Sequence, residues 1–251
     1  MKEIDIISRL GKKTNDIKHF KQFLPLNIEI IIEPFAGGFA VSKYYVKNNI
    51  CVNVHINDND EQLFYIYKHY KDYIGMRNFI QDNFIYGYDY KKLKPCILEL
   101  PYNIHLLNNY CDNFIIRGII HKNIKSRIYN ETEKNILDTA LITCDDYINI
   151  FEQYKNNEKA FIFLDPPYIF SNNSTYNMMD TDNTEMVPKI YEFMLTCKCK
   201  VLLIINDLEI IRYIFKNFVK GKYNKIYLLG KKRSRHLIIC NYEPLSVVQQ
   251  M

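Results

Sequence analysis

The stretch Phe161-Ile162-Phe163-Leu164-Asp165-Pro166-Pro167-Tyr168 combines an apolar run with a polar, proline-rich end. Its first four residues favour β structure and predict a buried strand, which cannot continue as a paired central strand through two prolines. The strand would therefore bring the last four residues to one point. There the Asp165 carboxylate and the Pro166 carbonyl could accept both hydrogens of a nucleobase amine, and Tyr168 could stack on the base. Asp165, Pro166, Pro167 and Tyr168 are the candidate catalytic residues; a simple Pro-Pro turn is the alternative.

The composition indicates a globular α/β protein with an insert. The chain has 251 residues, of which 48% are hydrophobic, enough to bury a substantial core. Seven cysteines at irregular spacings indicate a reducing compartment, and Cys197-Lys198-Cys199 is too short and isolated for a zinc site. No apolar run reaches the roughly 18 residues of a membrane span, and the first residues lack the apolar core of a signal peptide. We therefore expect an intracellular protein with no metal site.

Positive charge is concentrated in the middle of the chain. The net charge is +5, and residues 91–130 alone hold seven Lys or Arg against two acids. Because the α/β pattern is interrupted here, we expect residues 1–60 and 141–251 to form the main domain and residues 61–140 a mainly helical insert. Basic residues interleaved with aromatic ones suit contacts with phosphates and bases, although a solvated charged face is the common alternative. The candidate nucleic-acid-binding residues are Arg117, Lys122, Lys125 and Arg127 in the insert, Tyr176 in a turn-rich loop, and Lys231, Lys232, Arg233 and Arg235 in a C-terminal hairpin turn.

Two strand-and-turn units precede the insert. The apolar run at residues 28–35 predicts a strand buried on both faces, followed by a glycine turn and a helix. Such a turn lets backbone amides approach a ligand at a helix N-terminus, although a tight turn with no ligand is an equal alternative. A second strand, residues 52–56, leads to Asp58, an acid placed where a carboxylate can accept ribose hydroxyls. Asp58 could instead cap the helix predicted for residues 60–74, a role that Asp60 could also fill.

The α/β pattern resumes after the insert. Strands are predicted at residues 141–147, 161–164 and 201–207, with helices near 147–156, 185–197 and 208–219. The last two strands, residues 225–229 and 236–242, flank the short turn 230–235 and are expected to form an antiparallel hairpin. A short helix is also predicted within residues 14–25. The predicted fold class is α/β, with a mixed, mostly parallel sheet that ends in an antiparallel hairpin.

In their order along the chain, these motifs resemble those of the Dam-type adenine-N6 DNA methyltransferases, enzymes with a Rossmann-like S-adenosylmethionine-binding fold. The matching pieces are Gly11-Lys12-Lys13, Glu33-Pro34-Phe35-Ala36-Gly37-Gly38, Asn57-Asp58, the Asp145 region, Asp165-Pro166-Pro167-Tyr168 and Leu237-Ile238-Ile239-Cys240-Asn241-Tyr242. They leave about 60–140 unmatched, where this family carries its target-recognition insert. Within it, residues 113–118 are only loosely similar to the family's usual pattern, so the resemblance does not imply a target sequence.

The resemblance implies a site for S-adenosyl-L-methionine. Lys13 would lie by the cofactor, Asp58 would hold its ribose and Asp145 would lie near its adenine, while Asp165 would lie between the cofactor and the target amine. The implied cofactor-binding residues are Arg9, Lys13, Glu33, Pro34, Phe35, Ala36, Gly37, Gly38, Asp58, Asn59, Asp145, Asp146 and Asp165. Two positions depart from the family. Phe39 stands where many relatives have a third glycine, so the turn must accommodate a ring or the pocket is reshaped, and Arg9 stands where an aromatic residue often contacts the cofactor.

The implied function is methyl transfer from S-adenosyl-L-methionine to the N6 amine of an adenine flipped out of a short specific DNA sequence. RNA adenine-N6 methylation, DNA cytosine-N4 methylation and a catalytically inactive nucleic-acid-binding relative are the alternatives. The expected partners are double-stranded DNA and a cognate restriction endonuclease, without a membrane or a metal. The chain is expected to be a monomer or a weak dimer.

Overall fold

A seven-stranded sheet forms the centre of the computed structural model, which describes residues 3, 5–7, 13–83, 115–116, 119–120, 128–167, 185–226 and 233–244. The strands are β1 (Ile30–Glu33), β2 (Val54–Asn57), β3 (Ile115–Ile116), β4 (Ile119–Ile120), β5 (Leu141–Thr143), β6 (Ala160–Leu164), β7 (Lys200–Asn206), β8 (Val219–Ile226) and β9 (Arg233–Cys240). Their order across the sheet is β5-β2-β1-β6-β7-β9-β8, and β3 pairs with β4 in a separate ladder.

The helices lie between consecutive strands along the chain, except the first, which precedes β1. They are α1 (Ile17–Phe20), α2 (Ala40–Lys47), α3 (Glu61–Lys68), α4 (Tyr70–Asn83), α5 (Glu131–Thr139), α6 (Tyr147–Tyr154), α7 (Met186–Thr196) and α8 (Glu209–Ile214), with 3-10 turns at Lys13–Asn15 and Lys21–Phe23. Strands β5, β2, β1, β6 and β7 are parallel, whereas β9 is antiparallel to β7 and β8. The predicted α/β class with a C-terminal antiparallel hairpin is confirmed. Within the described part of the chain, every helix is too short or too polar to span a membrane.

Side chains of the central strands alternate between two apolar cores, one on each face of the sheet. In β6, Phe161 and Phe163 pack into the first core, and Ile162 and Leu164 pack into the second. All four are at most 2% exposed. A strand buried on both faces needs apolar residues at every position, which explains the continuous run in the sequence. The polar residue that follows, Asp165, therefore lies at the edge of the sheet where the strand ends.

Helices on either side of the basic segment also belong to the first core. Leu63 and Tyr67 of α3, Tyr73 of α4 and Ile136 of α5 are all buried there. The predicted single helix over residues 60–74 is wrong in its bounds, because α3 ends before His69 and α4 then continues to Asn83. His69 has a φ of −115°, outside the helical range, which separates the two helices.

The C-terminal hairpin begins earlier in the chain than the sequence pattern predicted. Strand β8 starts at Val219, at the end of the predicted helix, and β9 starts at Arg233, inside the predicted turn. Among the described strands, β8 pairs only with β9, and its three lysines interrupt the apolar pattern. A register shift between Val219 and Gly221 marks a bulge at its start. An edge strand of this kind is difficult to locate from hydrophobicity alone.

The turn after β1 accommodates Phe39 by directing its ring into the first core. Phe39 has a φ of +35°, a left-handed conformation that is uncommon outside glycine, and its side chain is fully buried. The ring makes an edge-to-face contact with Tyr67, with ring centroids 5.8 Å apart, and the Lys43 Nζ atom lies 5.1 Å from its centroid. The Tyr67 hydroxyl also donates to the Gly37 carbonyl at 2.6 Å. The ring thus packs beneath the turn and helps to hold it.

Replacing Phe39 by glycine tests whether the packing of the ring outweighs the strain of the backbone. Phe39→Gly would relieve about 1 kcal/mol of strain but remove a buried ring, which costs about 3–5 kcal/mol. We expect the free energy of unfolding, measured by denaturant titration, to fall by about 2–4 kcal/mol. Asn49→Gly is the matched control, because Asn49 also has a positive φ, +54°, but is exposed; it should keep wild-type stability or gain slightly. A Phe39→Gly protein as stable as the wild type would contradict this role of the ring.

Candidate active site

An ion pair between Lys13 and Asp165 lies at the carboxyl end of β6. The Lys13 Nζ atom is 2.6 Å from each carboxylate oxygen of Asp165. The side chains are 4% and 21% exposed, so the pair is largely removed from water. Burial raises the pKa of Asp165, while the charge and hydrogen bonds of Lys13 oppose that rise. Lys13 therefore favours the ionised form of Asp165, in which both oxygens act as hydrogen-bond acceptors.

Other charged and polar residues lie near this pair that the sequence analysis did not single out. Asp16 is buried and accepts a hydrogen bond from the Lys225 Nζ atom at 2.6 Å. His236 is fully buried, and its burial, together with Lys13 and Lys225, lowers its pKa to about 4. Its ring stacks on Tyr223 with centroids 5.1 Å apart. No motif marked these residues, because β8 and β9 bring Lys225, Tyr223 and His236 to the site from the far end of the chain.

The two prolines after Asp165 end β6 as the sequence predicted. Pro166 is buried and Pro167 is half-buried. Among the residues that the structure describes, none donates a hydrogen bond to the Pro166 carbonyl. A carboxylate and a backbone acceptor to which no described residue donates therefore lie next to each other at the strand end. Tyr168, the remaining candidate catalytic residue, lies outside the described residues.

The glycine turn after β1 lies against the end of β2. Gly37 has a φ of +50°, and a side chain built there would meet no atom of the described residues within 4 Å, so these residues leave open space beside this backbone. The Gly37 amide donates to Asp58 Oδ2 at 3.0 Å, and the Asp60 amide donates to Asp58 Oδ1 at 3.2 Å. Asp60 caps α3, since its Oδ1 accepts from the Gln62 and Leu63 amides. Asp58 instead joins the glycine turn to the end of β2, the place predicted to hold a ribose.

Glu33, the last residue of β1, holds the start of α2. Its Oε1 accepts from the Ser42 amide at 2.6 Å, in the first turn of a helix whose preceding residue, Phe39, makes no side-chain capping bond. Glu33 is 2% exposed, and burial raises its pKa to about 7 despite the hydrogen bonds with Ser42. The nearby cofactor candidates Pro34, Ala36 and Gly38 are buried as well. The geometry gives Glu33 a capping role that supports the turn.

Asn57 connects the ends of three parallel strands, and the sequence analysis did not identify it as a site residue. Its Nδ2 donates to the Pro34 carbonyl after β1, at 3.0 Å, and to the Asp145 carbonyl after β5, at 2.9 Å. Its Oδ1 accepts from Thr143 Oγ1 at 2.7 Å and from the Asp145 amide at 2.9 Å. The side chain is fully buried and uses both its donors and its acceptor. The signals in the sequence were an amide at the end of an apolar strand and its place in the Asn57-Asp58 motif.

An aromatic pair lies beside this network. The ring of the half-buried Phe35 is 5.3 Å, between centroids, from the ring of Tyr147 at the start of α6. Burial raises the pKa of Tyr147 to about 12. The candidate Asp146 caps α6 by accepting from the Ile148 amide at 2.8 Å, and the candidate Asn59 is exposed. Tyr147 was missed in the sequence, although it directly follows Asp146.

Arg235 is the one candidate DNA-binding residue whose side chain the structure describes. It is exposed, with its Nε 3.4 Å from Asn224 Oδ1 and its Nη1 3.7 Å from Asp207 Oδ2. It lies in a paired strand, as does the backbone of Arg233, so the placement of both residues in a hairpin turn is wrong. The remaining DNA-binding candidates and one cofactor candidate lie outside the described residues: Arg117, Lys122, Lys125, Arg127, Tyr176, Lys231, Lys232 and Arg9.

The buried carboxyl of Glu33 should make stability depend on pH. Its folded-state pKa of about 7 lies above the ordinary 4.5, so between these values the folded protein holds a proton that the unfolded chain has lost. Relative to Glu33→Gln, which cannot titrate, the wild type should lose stability as the pH rises through this window, by at most about 1.4 kcal/mol per pH unit. The measurement is the unfolding free energy of both proteins across that window. Both contain the same buried histidines, whose contribution cancels in the difference between the two free energies. A difference that does not change with pH would contradict the raised pKa.

The chain is similar to known Type II methyltransferases over most of its length. Residues 108–234, about half of the chain, match the family model described as D12 class N6 adenine-specific DNA methyltransferase. The Type II methyltransferase M.CviBI of Paramecium bursaria Chlorella virus NC1A is 27% identical over 269 residues, which cover 94% of this chain and 99% of that protein. The Type II methyltransferase M.MjaIII of Methanocaldococcus jannaschii is 26% identical over 220 residues, which cover 70% and 75%.

Solved structures are more distant. An rRNA methylase from Streptococcus thermophilus superposes with a TM-score of 0.38 at 8% identity, over 92% of this chain and 98% of that one. A score this low has no bearing on the substrate, whereas the family match favours DNA adenine methylation over the alternatives of RNA, cytosine or an inactive relative. The chain belongs to the D12 class N6 adenine-specific DNA methyltransferases, and it methylates adenine in DNA with S-adenosylmethionine as the methyl donor.

Proposed function

We propose that Asp165 and the Pro166 carbonyl accept the two hydrogens of the adenine N6 amine. The observation that carries this proposal is a largely buried, ion-paired carboxylate next to a carbonyl to which no described residue donates. In open α/β sheets, ligands bind outside the carboxyl ends of the strands, at the point where the strand order reverses. The order reverses between β1 and β6, and Asp165 follows β6 directly.

The proposed mechanism is direct transfer to a flipped base. An amine inside the duplex stack cannot meet an in-line methyl donor, so the target adenine must leave the stack. Asp165 then accepts one amine hydrogen at a carboxylate oxygen, and Pro166 accepts the other at its backbone oxygen. These two hydrogen bonds draw the nitrogen lone pair out of conjugation with the ring. The rate enhancement therefore comes from positioning and from electrostatic preorganisation. We propose that Tyr168 stacks on the flipped base.

The described residues fit the cofactor. When bound, S-adenosylmethionine supplies an electrophilic methyl group. The open space beside Gly37 permits a ligand to approach the backbone, and Asp58 presents a carboxylate at the end of β2, where ribose hydroxyls are bound in nucleoside-cofactor folds. The rings of Phe35 and Tyr147 offer an apolar surface for the cofactor adenine, beside the backbone of Asp145 that Asn57 holds. We assign these residues to the cofactor pocket.

We propose that the catalytic domain comprises residues 1–60 and 141–251 and that target recognition belongs to the insert of about 61–140. Both α3 and α5 fall inside the bounds of the insert but pack into the first core, which supports target recognition by the segment that lies between these two helices in the sequence. The net positive charge of residues 91–130 supports contacts with DNA phosphates. Lys122, Lys125 and Arg127 are the proposed phosphate contacts.

We further propose that the enzyme acts inside the cell as a monomer or weak dimer, alongside an endonuclease of the same specificity. Both curated relatives are named Type II methyltransferases, which supports a restriction partner. Sequencing of DNA from a host that expresses the protein, scored for N6-methyladenine, tests the sequence-specific methylation that such a partnership requires. Methylation confined to one short motif is the expected result, and the absence of N6-methyladenine would contradict it.

Asp165→Ala should lower kcat by at least about a hundredfold, because one of the two acceptors of the amine is lost. The assay is incorporation of tritiated methyl from S-adenosylmethionine into duplex DNA. Tyr168→Ala should also lose transfer while binding of the cofactor, measured by calorimetry, largely survives. Glu152→Gln, which changes an exposed carboxylate on α6, should behave as the wild type. Near wild-type methylation by Asp165→Ala would show that the acceptor is assigned to the wrong residue.

Lys13→Met should move the acid limb of the kcat–pH profile to higher pH. Transfer needs ionised Asp165, whose pKa is raised by burial and lowered by Lys13, so removing the lysine raises that pKa further. Activity should then be lost earlier as the pH falls. The profile is measured at saturating DNA and cofactor. An acid limb at the wild-type position would mean that Asp165 does not control it.

A further inference from the structure

A buried ionic cluster joins three segments that are distant in sequence; we call it the Glu133 junction. Glu133 in α5 is fully buried. Its Oε2 accepts from the Ile6 amide at 2.5 Å, and its Oε1 accepts from the Ile7 amide at 3.2 Å and from the Lys43 Nζ atom at 3.3 Å. The Lys43 Nζ atom also lies 3.5 Å from Asp5 Oδ1. One lysine and two backbone amides thus hold a carboxylate inside the protein.

The three segments of the junction lead to different parts of the enzyme. Asp5 to Ile7 precede Lys13, and the six residue steps from Ile7 to Lys13 span at most about 20 Å. Lys43 lies in α2, the helix that follows the glycine turn. Glu133 lies in α5, which starts directly after the basic segment 91–130. The junction therefore links the N-terminal segment, which leads to Lys13, to α2 and to the end of the proposed recognition insert.

The burial of Glu133 makes this link strong. A carboxylate removed from water is costly unless hydrogen bonds and an opposite charge replace its hydration. Burial raises the pKa of Glu133, whereas Lys43 and the two amides oppose that rise. Moving the N-terminal segment away would remove both amides at once and leave a buried acceptor without them. The position of residues 5–7 is therefore tied to α5.

We propose that Glu133 is a positioning residue for methyl transfer, which fixes the N-terminal segment so that Lys13 reaches Asp165. This proposal rests on the catalytic role proposed for Asp165. The charged and titratable groups around Asp165 come from several elements: Lys13 and Asp16 from the N-terminal segment, Lys225 from β8, His236 from β9 and Glu33 from β1. Glu133 governs the placement of the lysine among them and contacts neither substrate nor cofactor.

Glu133→Gln is the informative variant, because it keeps the shape of the side chain but removes its charge and one acceptor. We expect kcat to fall by about tenfold, equivalent to about 1.4 kcal/mol of lost positioning. We also expect the acid limb of the kcat–pH profile to move to higher pH, in the direction expected for Lys13→Met. A purely structural role would lower the amount of active enzyme without moving this limb. In the double variant with Lys13→Met, the limb should move no further than in Lys13→Met alone.

The matched control is Glu131→Gln, an exposed carboxylate in the same helix whose partner is the Lys134 Nζ atom at 2.6 Å. It should leave the pH profile unchanged. Asp5→Asn weakens the junction at its partly exposed end and should give a smaller shift of the same sign. If Glu133→Gln does not fold, Asp5→Asn decides the question.

The outcomes separate this inference from the proposed function. A wild-type pH profile in folded Glu133→Gln, or failing that in Asp5→Asn, overturns the positioning role when Asp165→Ala is inactive. A shift in Glu131→Gln equal to that in Glu133→Gln also overturns it. If Asp165→Ala remains active, the proposed function itself fails.

Discussion

The central strands are buried on both faces, and this constraint places the polar groups of the enzyme at the strand ends. Strand β6 has no exposed side along its length, so Asp165 is the first polar residue that follows it. Strands β1 and β2 end in Glu33 and Asn57 under the same constraint. Because parallel strands end at the same edge of a sheet, their terminal side chains meet there. The glycine turn, the two acceptors proposed for the amine and Asp58, which is proposed to hold the ribose, thus lie at the same edge of the sheet.

Groups at that edge are partly removed from water, which determines how they are paired. Asp165 is paired with Lys13, Glu33 accepts from the Ser42 amide, and the Asn57 amide uses both its donors and its acceptor. Low dielectric strengthens each of these contacts and equally penalises a group left without one. Asp165 consequently combines a raised pKa with a cation at both oxygens. This combination preserves a strong acceptor in a place from which water is largely excluded.

The glycine turn shows how a motif tolerates a departure from the family pattern. Phe39 keeps the left-handed backbone conformation that a glycine would adopt without strain, and its ring fills space in the first core. The ring packs against Tyr67 in this core, and the described residues leave open space beside Gly37, where we propose that the cofactor approaches the backbone. The question raised by Phe39 in the sequence is therefore answered by packing beneath the turn.

The sequence was sufficient for those features that depend on neighbouring residues. Continuous apolar runs located β1, β6 and β7, polar tips located Asp58 and Asp165, and the order of the motifs indicated the family. Hydrophobic periodicity reports local burial, so it failed for the edge strand β8, in which three lysines interrupt the apolar pattern. Hydrophobic periodicity gave no information about contacts between residues that are distant in sequence. Lys13 and Asp165 are 152 positions apart, and Ile6 and Glu133 are 127 apart, so strand order and chain connections bring them together. These pairs are specified only by the folded chain, because the position of a charged residue in the sequence does not indicate which residue the sheet places beside it.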